Sequence, residues 1–399
     1  MKIAFNVGSD LDSGGGFQYE AKIVELFSKL SHDRFEFYFF TTNKEVQQQY
    51  TDIGLNVDLL QEGILSKIHR RIMRNDCWLR IFSKFNLEKK KIETDLINNQ
   101  GVDLIYFLSP SLLALDFNII PYVFTVWDLC HRDFNEFPEV RNATQFNERE
   151  MLYSTVLKKA VAVTAVSKHL SSTIVDRYGV DSERVKVVNL LPGIHTQESL
   201  GNVDIKQKYG LSNDYIFYPA QFWPHKNHIY ILKALRFLKE NHNQKVDAIF
   251  SGISKGNSGY IKARALEYGI SDQIHDIGFV NGAEIPYLYK QSLSLVMPTY
   301  FGPSNIPPLE AFHFKTPVCY SDLPGLRDQV GDAAFLMDLN QPESLTKHIL
   351  TIIGGGEVIS EKIRLGELVL KGWTSDDLVN AVIETFSSYE VIRECWGSN

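Results

Sequence analysis

No apolar stretch of this 399-residue chain approaches the roughly 20 residues that would span a bilayer. Cysteine is scarce. Cys77, Cys130, Cys319 and Cys395 lie far apart without metal-ligand spacing, which argues against zinc and for a reducing compartment. Positive charge is in deficit: 41 Lys and Arg oppose 48 Asp and Glu, and the net charge of −7 argues against non-specific nucleic-acid binding. The start, MKIAFNVGSD, has too short an apolar part for a signal peptide and reads as a strand. A GxGxxG fingerprint is also missing. Gly14-Gly15-Gly16 follows the first strand, but Tyr19 stands where the third glycine would be, which disfavours a strict dinucleotide fold.

What is present is the composition of a soluble globular protein, 44% apolar and 22% charged, in a chain long enough for two domains. Short apolar runs alternate with amphipathic segments. Strands are expected at Lys2–Val7, Phe35–Phe40, Leu104–Leu108, Tyr122–Val126, Ala162–Val166 and Val185–Val188, and a helix at Phe17–Leu30. A polar linker is expected at Gly193–Lys206, and a second array begins with strand Tyr215–Tyr218. It continues through Ala248–Gly252 and Leu293–Thr299, and between them Ile277–Val280 precedes the turn Asn281-Gly282. Alternation of this kind predicts an α/β protein with parallel, doubly wound sheets.

The most informative stretch is Leu293–Asp322, LSLVMPTYFGPSNIPPLEAFHFKTPVCYSD. It reads as strand, loop, helix and strand, with Pro308 in the first helical turn and Thr316-Pro317 ending the helix. A helix that starts at the carboxyl end of a parallel strand presents free N–H groups and a positive dipole end, a ready site for phosphate. Glu310, in the first turn, can accept hydrogen bonds from sugar hydroxyls. The competing reading is a capped αβ unit with a dipole-stabilising glutamate.

PPLEAFHFKTPV, the turn SDLPGLRD and then GDAAFLMD resemble the signature of the retaining GT-B glycosyltransferases of family 4. The resemblance implies two Rossmann-like domains facing a cleft: 1–195 with a crossing helix at about 375–399, and 205–374. It implies that Glu310 holds the nucleotide ribose. A second glutamate, eight residues earlier, normally meets the donor sugar; here that position is Gly302, and main-chain groups of Ser304, Asn305 and Ile306 would serve instead. On YPAQFWPHKN, Lys226 matches a lysine that contacts the donor phosphates, while Gln221 stands where an arginine is usual. The resemblance also places the glycine loop with Gly15 and Gly16 at a ligand, and nucleobase contacts on main chain near Gly252 and Val280.

Within FTVWDLCHRDFNEFP, Trp127 replaces the histidine of a His-Asp pair, Asp128 remains, and His131 follows. Asp128 and His131 are candidates for facing the donor sugar or acceptor hydroxyl; the alternative makes Asp128 a turn cap and leaves His131 on the surface. Ser167 reads as a helix N-cap. Asp10-Leu11-Asp12 resembles a metal-binding DxD but reads as loop polarity. Ser66–Lys91 carries nine basic residues against Asp76 and Glu88, interleaved with Ile68, Ile72, Trp78, Leu79 and Phe82. Such a stretch suits an anionic lipid surface, or else a helix with a solvated basic face.

The expectation is a metal-independent, retaining transferase (EC 2.4) in the cytoplasm or at the inner membrane face. It would need no cofactor beyond its nucleotide-sugar donor and would act on a glycan or lipid-linked acceptor. Rival readings are a GT-B epimerase or glycosyl phosphorylase, a non-catalytic nucleotide-sugar-binding partner subunit, and a membrane-surface scaffold.

Overall fold

The computed structural model describes residues 1–11, 14–63, 91–193, 203–280 and 282–397. Residues 66–90 of the basic stretch, most of the expected linker and Asp12 lie outside the described residues. Helices that position functional groups are α1 (Gly15–Ser28), α2 (Ala143–Lys159), α3 (Lys168–Tyr178), α4 (His228–His242), α5 (Ile306–His313) and α6 (Ser375–Arg393). The chain divides into two compact units. Unit 1 holds residues 1–136, 140–189 and 375–399; unit 2 holds 137–139 and 190–374.

Unit 1 is built on strands β1 (Lys2–Asn6), β2 (Glu36–Thr41), β3 (Asp58–Leu59), β4 (Leu104–Phe107), β5 (Tyr122–Val126), β6 (Ala162–Ala165) and β7 (Val185–Val187). They form one parallel sheet in the order β3-β2-β1-β4-β5-β6-β7. The central strands are apolar along their length because helices cover both faces; every residue of β4 and β5 is buried. Helix α6 packs onto this sheet through Phe386, whose ring meets Phe5 and Tyr106, each at 5.9 Å. Ser167 caps α3 by accepting the N–H of Leu170 at 3.1 Å. The glycine run is not a free loop. Gly14 is the N-cap of α1, and Gly15 and Gly16 form its first turn.

Unit 2 repeats the plan with β8 (Tyr215–Pro219), β9 (Asp247–Ser251), β10 (Ile274–Asp276), β11 (Ser294–Met297), β12 (Val318–Ser321) and β13 (Phe335–Met337). The order is β10-β9-β8-β11-β12-β13, again parallel. The segment Ile277–Val280 directly follows β10. Ile277 hydrogen-bonds to Phe250 O as the strand ends, and Gly278, at φ 68°, turns the chain away.

Candidate functional site

The order of the second sheet decides where a ligand belongs. From β8 the chain steps outward to β9 and β10, then returns to the other side of β8 with β11. The reversal leaves a crevice at the carboxyl ends of β8 and β11, the switch point where open α/β sheets bind ligands. Two segments rim it: the turn Pro224–Lys226 after β8, and the loop into α5 after β11.

These segments are bonded to each other. The Tyr300 N–H donates to the His225 carbonyl at 2.9 Å, and the Thr299 hydroxyl reaches the same oxygen at 3.5 Å. The His225 ring stacks on Phe301 with centroids 3.8 Å apart. Its Nδ1 and N–H both engage Glu139 Oε1, at 2.7 and 3.0 Å. Burial would raise the Glu139 carboxyl, but its bonds to His225 hold it below its ordinary value. Neither His225 nor Glu139 was singled out in the sequence, because their partners are 86 residues apart.

Lys226 therefore follows directly on one side of the crevice, half-buried, its carbonyl accepting the Tyr218 hydroxyl at 2.8 Å. Its charge is felt at the head of α4, where burial first and Lys226 second hold His228 at about 3. Gln221 lies on the same loop; its side-chain oxygen accepts the Trp223 indole N–H at 2.8 Å. Gly252 closes β9 and donates its N–H to Gly278 O at 2.9 Å. A Cβ there would lie 2.5 Å from Ala220 O, so the β8 and β9 loops touch main chain to main chain. Val280 is buried beyond that turn.

On the other side, α5 opens at Ile306, two residues before Pro308. Pro307 and Pro308 occupy its first turn and remove two of the N–H groups a helix start would offer. Asn305 is also committed. Its N–H donates to Gln329 Oε1 at 3.0 Å, its carbonyl accepts Gln329 Nε2 at 2.6 Å, and its own Nδ2 reaches Tyr320 Oη at 2.6 Å. This corrects the expected amide set. Of that set, Asn305 shapes the loop. Gly302 has φ 116°, outside the range side chains adopt comfortably, and a Cβ would lie 3.1 Å from the Asn305 amide group. The loop that Gln329 and Tyr320 hold is thus one that disfavours a glutamate at position 302.

Glu310 sits one turn into α5, 7% exposed. Its Oε2 accepts the Tyr289 hydroxyl at 2.8 Å, and the Gly193 main chain donates to the same carboxyl. Burial pushes this carboxyl up to about 7, against the lowering effect of those two bonds. A half-ionised acceptor at a helix start is suited to ribose hydroxyls.

Unit 1 holds the other candidates. Asp128 makes a turn by accepting the Cys130 N–H at 3.0 Å and pairs with Arg149 at 2.7 Å. Burial would raise it, but Arg149 and the Cys130 bonds hold it at about 2. His131 is neither at a ligand nor on the surface, which corrects both readings of it. It is fully buried, bonds Tyr178 Oη through Nε2 at 3.0 Å, and is held at about 4 by burial and then by Arg149. A neutral imidazole sealed among Phe146 and Tyr153 has no route to a reacting hydroxyl. Gly16 packs against Trp127, where a Cβ would lie 2.5 Å from the indole ring. At the β1/β4 switch point of this sheet stands Glu20, which no sequence motif marks. It is fully buried and accepts the N–H groups of Gly8 and Ser9 at 3.1 and 2.9 Å, which pins the loop after β1.

Residues 204–362 match the family model described as glycosyl transferases group 1. Unit 2 is a group 1 glycosyltransferase domain. The chain is 25% identical over 217 residues to O-antigen chain mannosyltransferase B of Escherichia coli, covering 53% of this chain and 57% of that one. It is also 25% identical over 199 residues to O-antigen chain mannosyltransferase RfbU of Salmonella typhimurium, covering 49% and 52%. It thus spans about half the length of the curated relatives it matches. Anabaena Alr3699/HepE, crystallised with UDP and glucose, superposes with a TM-score of 0.73 at 17% identity, covering 97% of this chain and 100% of that one. The fold is GT-B, with two Rossmann-like units. No group of His, Cys, Asp or Glu among the described residues could hold a metal ion, and none of their helices is long and apolar enough to cross a membrane.

Proposed function

We propose that the chain is a retaining glycosyltransferase that moves a sugar from a nucleotide-diphosphate donor to a hydroxyl of a glycan or lipid-linked glycan, in bacterial surface-polysaccharide assembly. The observation that carries this reading is that the turn ending at Lys226 and the loop leading to the Glu310 helix, both at the β8/β11 crevice, are hydrogen-bonded to each other. The ribose would rest on Glu310, and the diphosphate on Lys226 and the N–H groups of Ser304 and Ile306. The nucleobase would meet main chain near Gly252 and Val280. In the transfer step the C1–oxygen bond to the diphosphate breaks and the acceptor oxygen bonds C1 on the same face, its proton passing to the leaving phosphate. Lys226 and the helix start offset the charge that develops, so no metal is needed. The O-antigen mannosyltransferases among the relatives support a hexosyl donor, mannosyl first, and an acceptor of the O-antigen kind. Work at the inner face of the cytoplasmic membrane, aided by residues 66–91, fits such an acceptor.

The test is a thermal-shift screen against uridine, guanosine, thymidine and adenosine diphosphate sugars, followed by transfer assays with the ligand that raises the melting temperature. No stabilisation by any of them would remove the reading. A second reading is a non-catalytic nucleotide-sugar-binding partner, which Gly302 and Gln221 favour by replacing a glutamate and an arginine. Donor binding without turnover, with or without acceptor, would select it. Conversion of donor alone to an epimer would select an epimerase.

A further inference from the structure

The opposite edge of the unit 1 sheet carries a cavity that sugar transfer does not use. Its volume is about 910 Å3. It is lined by residues that lead into β4, β5, β6 and β7, and by one face of α6, so it lies at the amino ends of the strands, away from the β1/β4 switch point. Thr385, Tyr389 and Ile392 recur at helical spacing along that face, and Trp396 continues it past the helix end. Ile119 and Ile120 line the cavity from the segment before β5.

Two properties of the lining are unusual together. The first is apolar exposure: Ile119, Ile392 and Trp396 are 43%, 59% and 45% exposed. A cluster of this kind marks an interaction site. The second is charge. Lys159, Arg184, Lys186 and Arg393 line the same cavity against Asp103 and Glu183, in a chain whose net charge is −7. Asp103 already faces Arg393 at 3.6 Å and accepts the Lys2 N–H. Lys159 and Arg393 stand in the last turns of α2 and α6 and offset those helix dipoles. That leaves Arg184 and Lys186, beside an apolar cleft, to meet an anion.

We propose that this cavity seats an anionic phospholipid at a membrane surface. An acyl chain enters along Ile119, Ile120, Tyr389 and Ile392, Trp396 lies at head-group depth, and Arg184 and Lys186 meet the phosphate. A free phosphate would leave the apolar wall unused, and a neutral sugar would leave the cations unused. The site is independent of the donor reading and of residues 66–91.

The test uses the full chain with vesicles of phosphatidylcholine alone and of phosphatidylcholine mixed with phosphatidylglycerol. The chain should sediment with the mixed vesicles and be released by salt. Arg184→Glu with Lys186→Glu, and separately Ile392→Asp, should each weaken sedimentation by about tenfold or more with the melting temperature retained. Lipids brominated on the acyl chain should quench tryptophan emission, and in a Trp78→Phe background Trp396→Phe should abolish the quenching while sedimentation persists. The proposal is overturned if the chain ignores phosphatidylglycerol vesicles, if the variants sediment as the native chain does, or if quenching in the Trp78→Phe background survives Trp396→Phe. It is also overturned if inorganic phosphate alone raises the melting temperature of the native chain but not of the double variant, since the anion site would then serve a free ion.

Discussion

Replacing Glu310 by Gln separates the burial of this carboxyl from its function. The folded protein holds the group at about 7, against an ordinary value of 4.5, because burial disfavours its charge. Between those two values the folded state binds the proton more tightly than the unfolded state, so stability falls as pH rises from about 4.5 to about 7. The shift corresponds to about 3 kcal/mol, taking about 1.4 kcal/mol per unit. Glutamine keeps an oxygen that can accept the Tyr289 hydroxyl but cannot ionise. Urea denaturation of both proteins from pH 5 to 8 should therefore give similar stabilities at pH 5. At pH 8 Glu310→Gln should be the more stable by about 3 kcal/mol, while binding the donor more weakly. Donor affinity of the native chain should rise with pH through about 7, and that rise should vanish in the variant. If the stability difference is the same at pH 5 and pH 8, the carboxyl is not the desolvated group described here, and its role as ribose acceptor loses its physical basis.

Gln329→Ala removes its two hydrogen bonds to the Asn305 main chain and the one it accepts from Tyr320, so it should cost about 3 kcal/mol, at about 1 kcal/mol per bond, and raise the donor KM more than it lowers kcat. His228 is nearly fully buried among Tyr218, Phe222 and Phe250 and held at about 3, so the unfolded chain takes up its proton first as pH falls below 6.5. His228→Phe should remove that acid-dependent loss, seen as a smaller drop in melting temperature between pH 7 and pH 5. Transfer should continue undiminished in a chelator; activity lost to the chelator and restored by manganese would contradict the metal-free mechanism.

Legibility of the fold followed burial. β4, β5, β8 and β11 are buried on both faces, so each reads as an unbroken apolar run. β10 escaped notice because Ile274-His275-Asp276 has one apolar side chain in three residues, too little pattern to read as a strand. The helix start before Glu310 was legible in its prolines, but the same prolines, with Gln329, take away amides that the pattern promised. Glu20, His225 and Gln329 escaped notice because their partners lie 11, 86 and 24 residues away, and no local rule joins them. His131 shows the converse. A histidine just past a strand end reads as a site, yet the chain folds it into an aromatic core.

In the proposed function an anionic leaving group rests between Lys226 and the start of the Glu310 helix. Calorimetric titration of nucleoside diphosphates into the native chain and into Lys226→Ala measures this most directly. A preferred diphosphate should bind at one site, about tenfold or more weaker in Lys226→Ala at an unchanged melting temperature, consistent with a charge-assisted contact of about 1.5–3 kcal/mol. Equal affinity in the two proteins, or no nucleoside diphosphate bound by either, would contradict it.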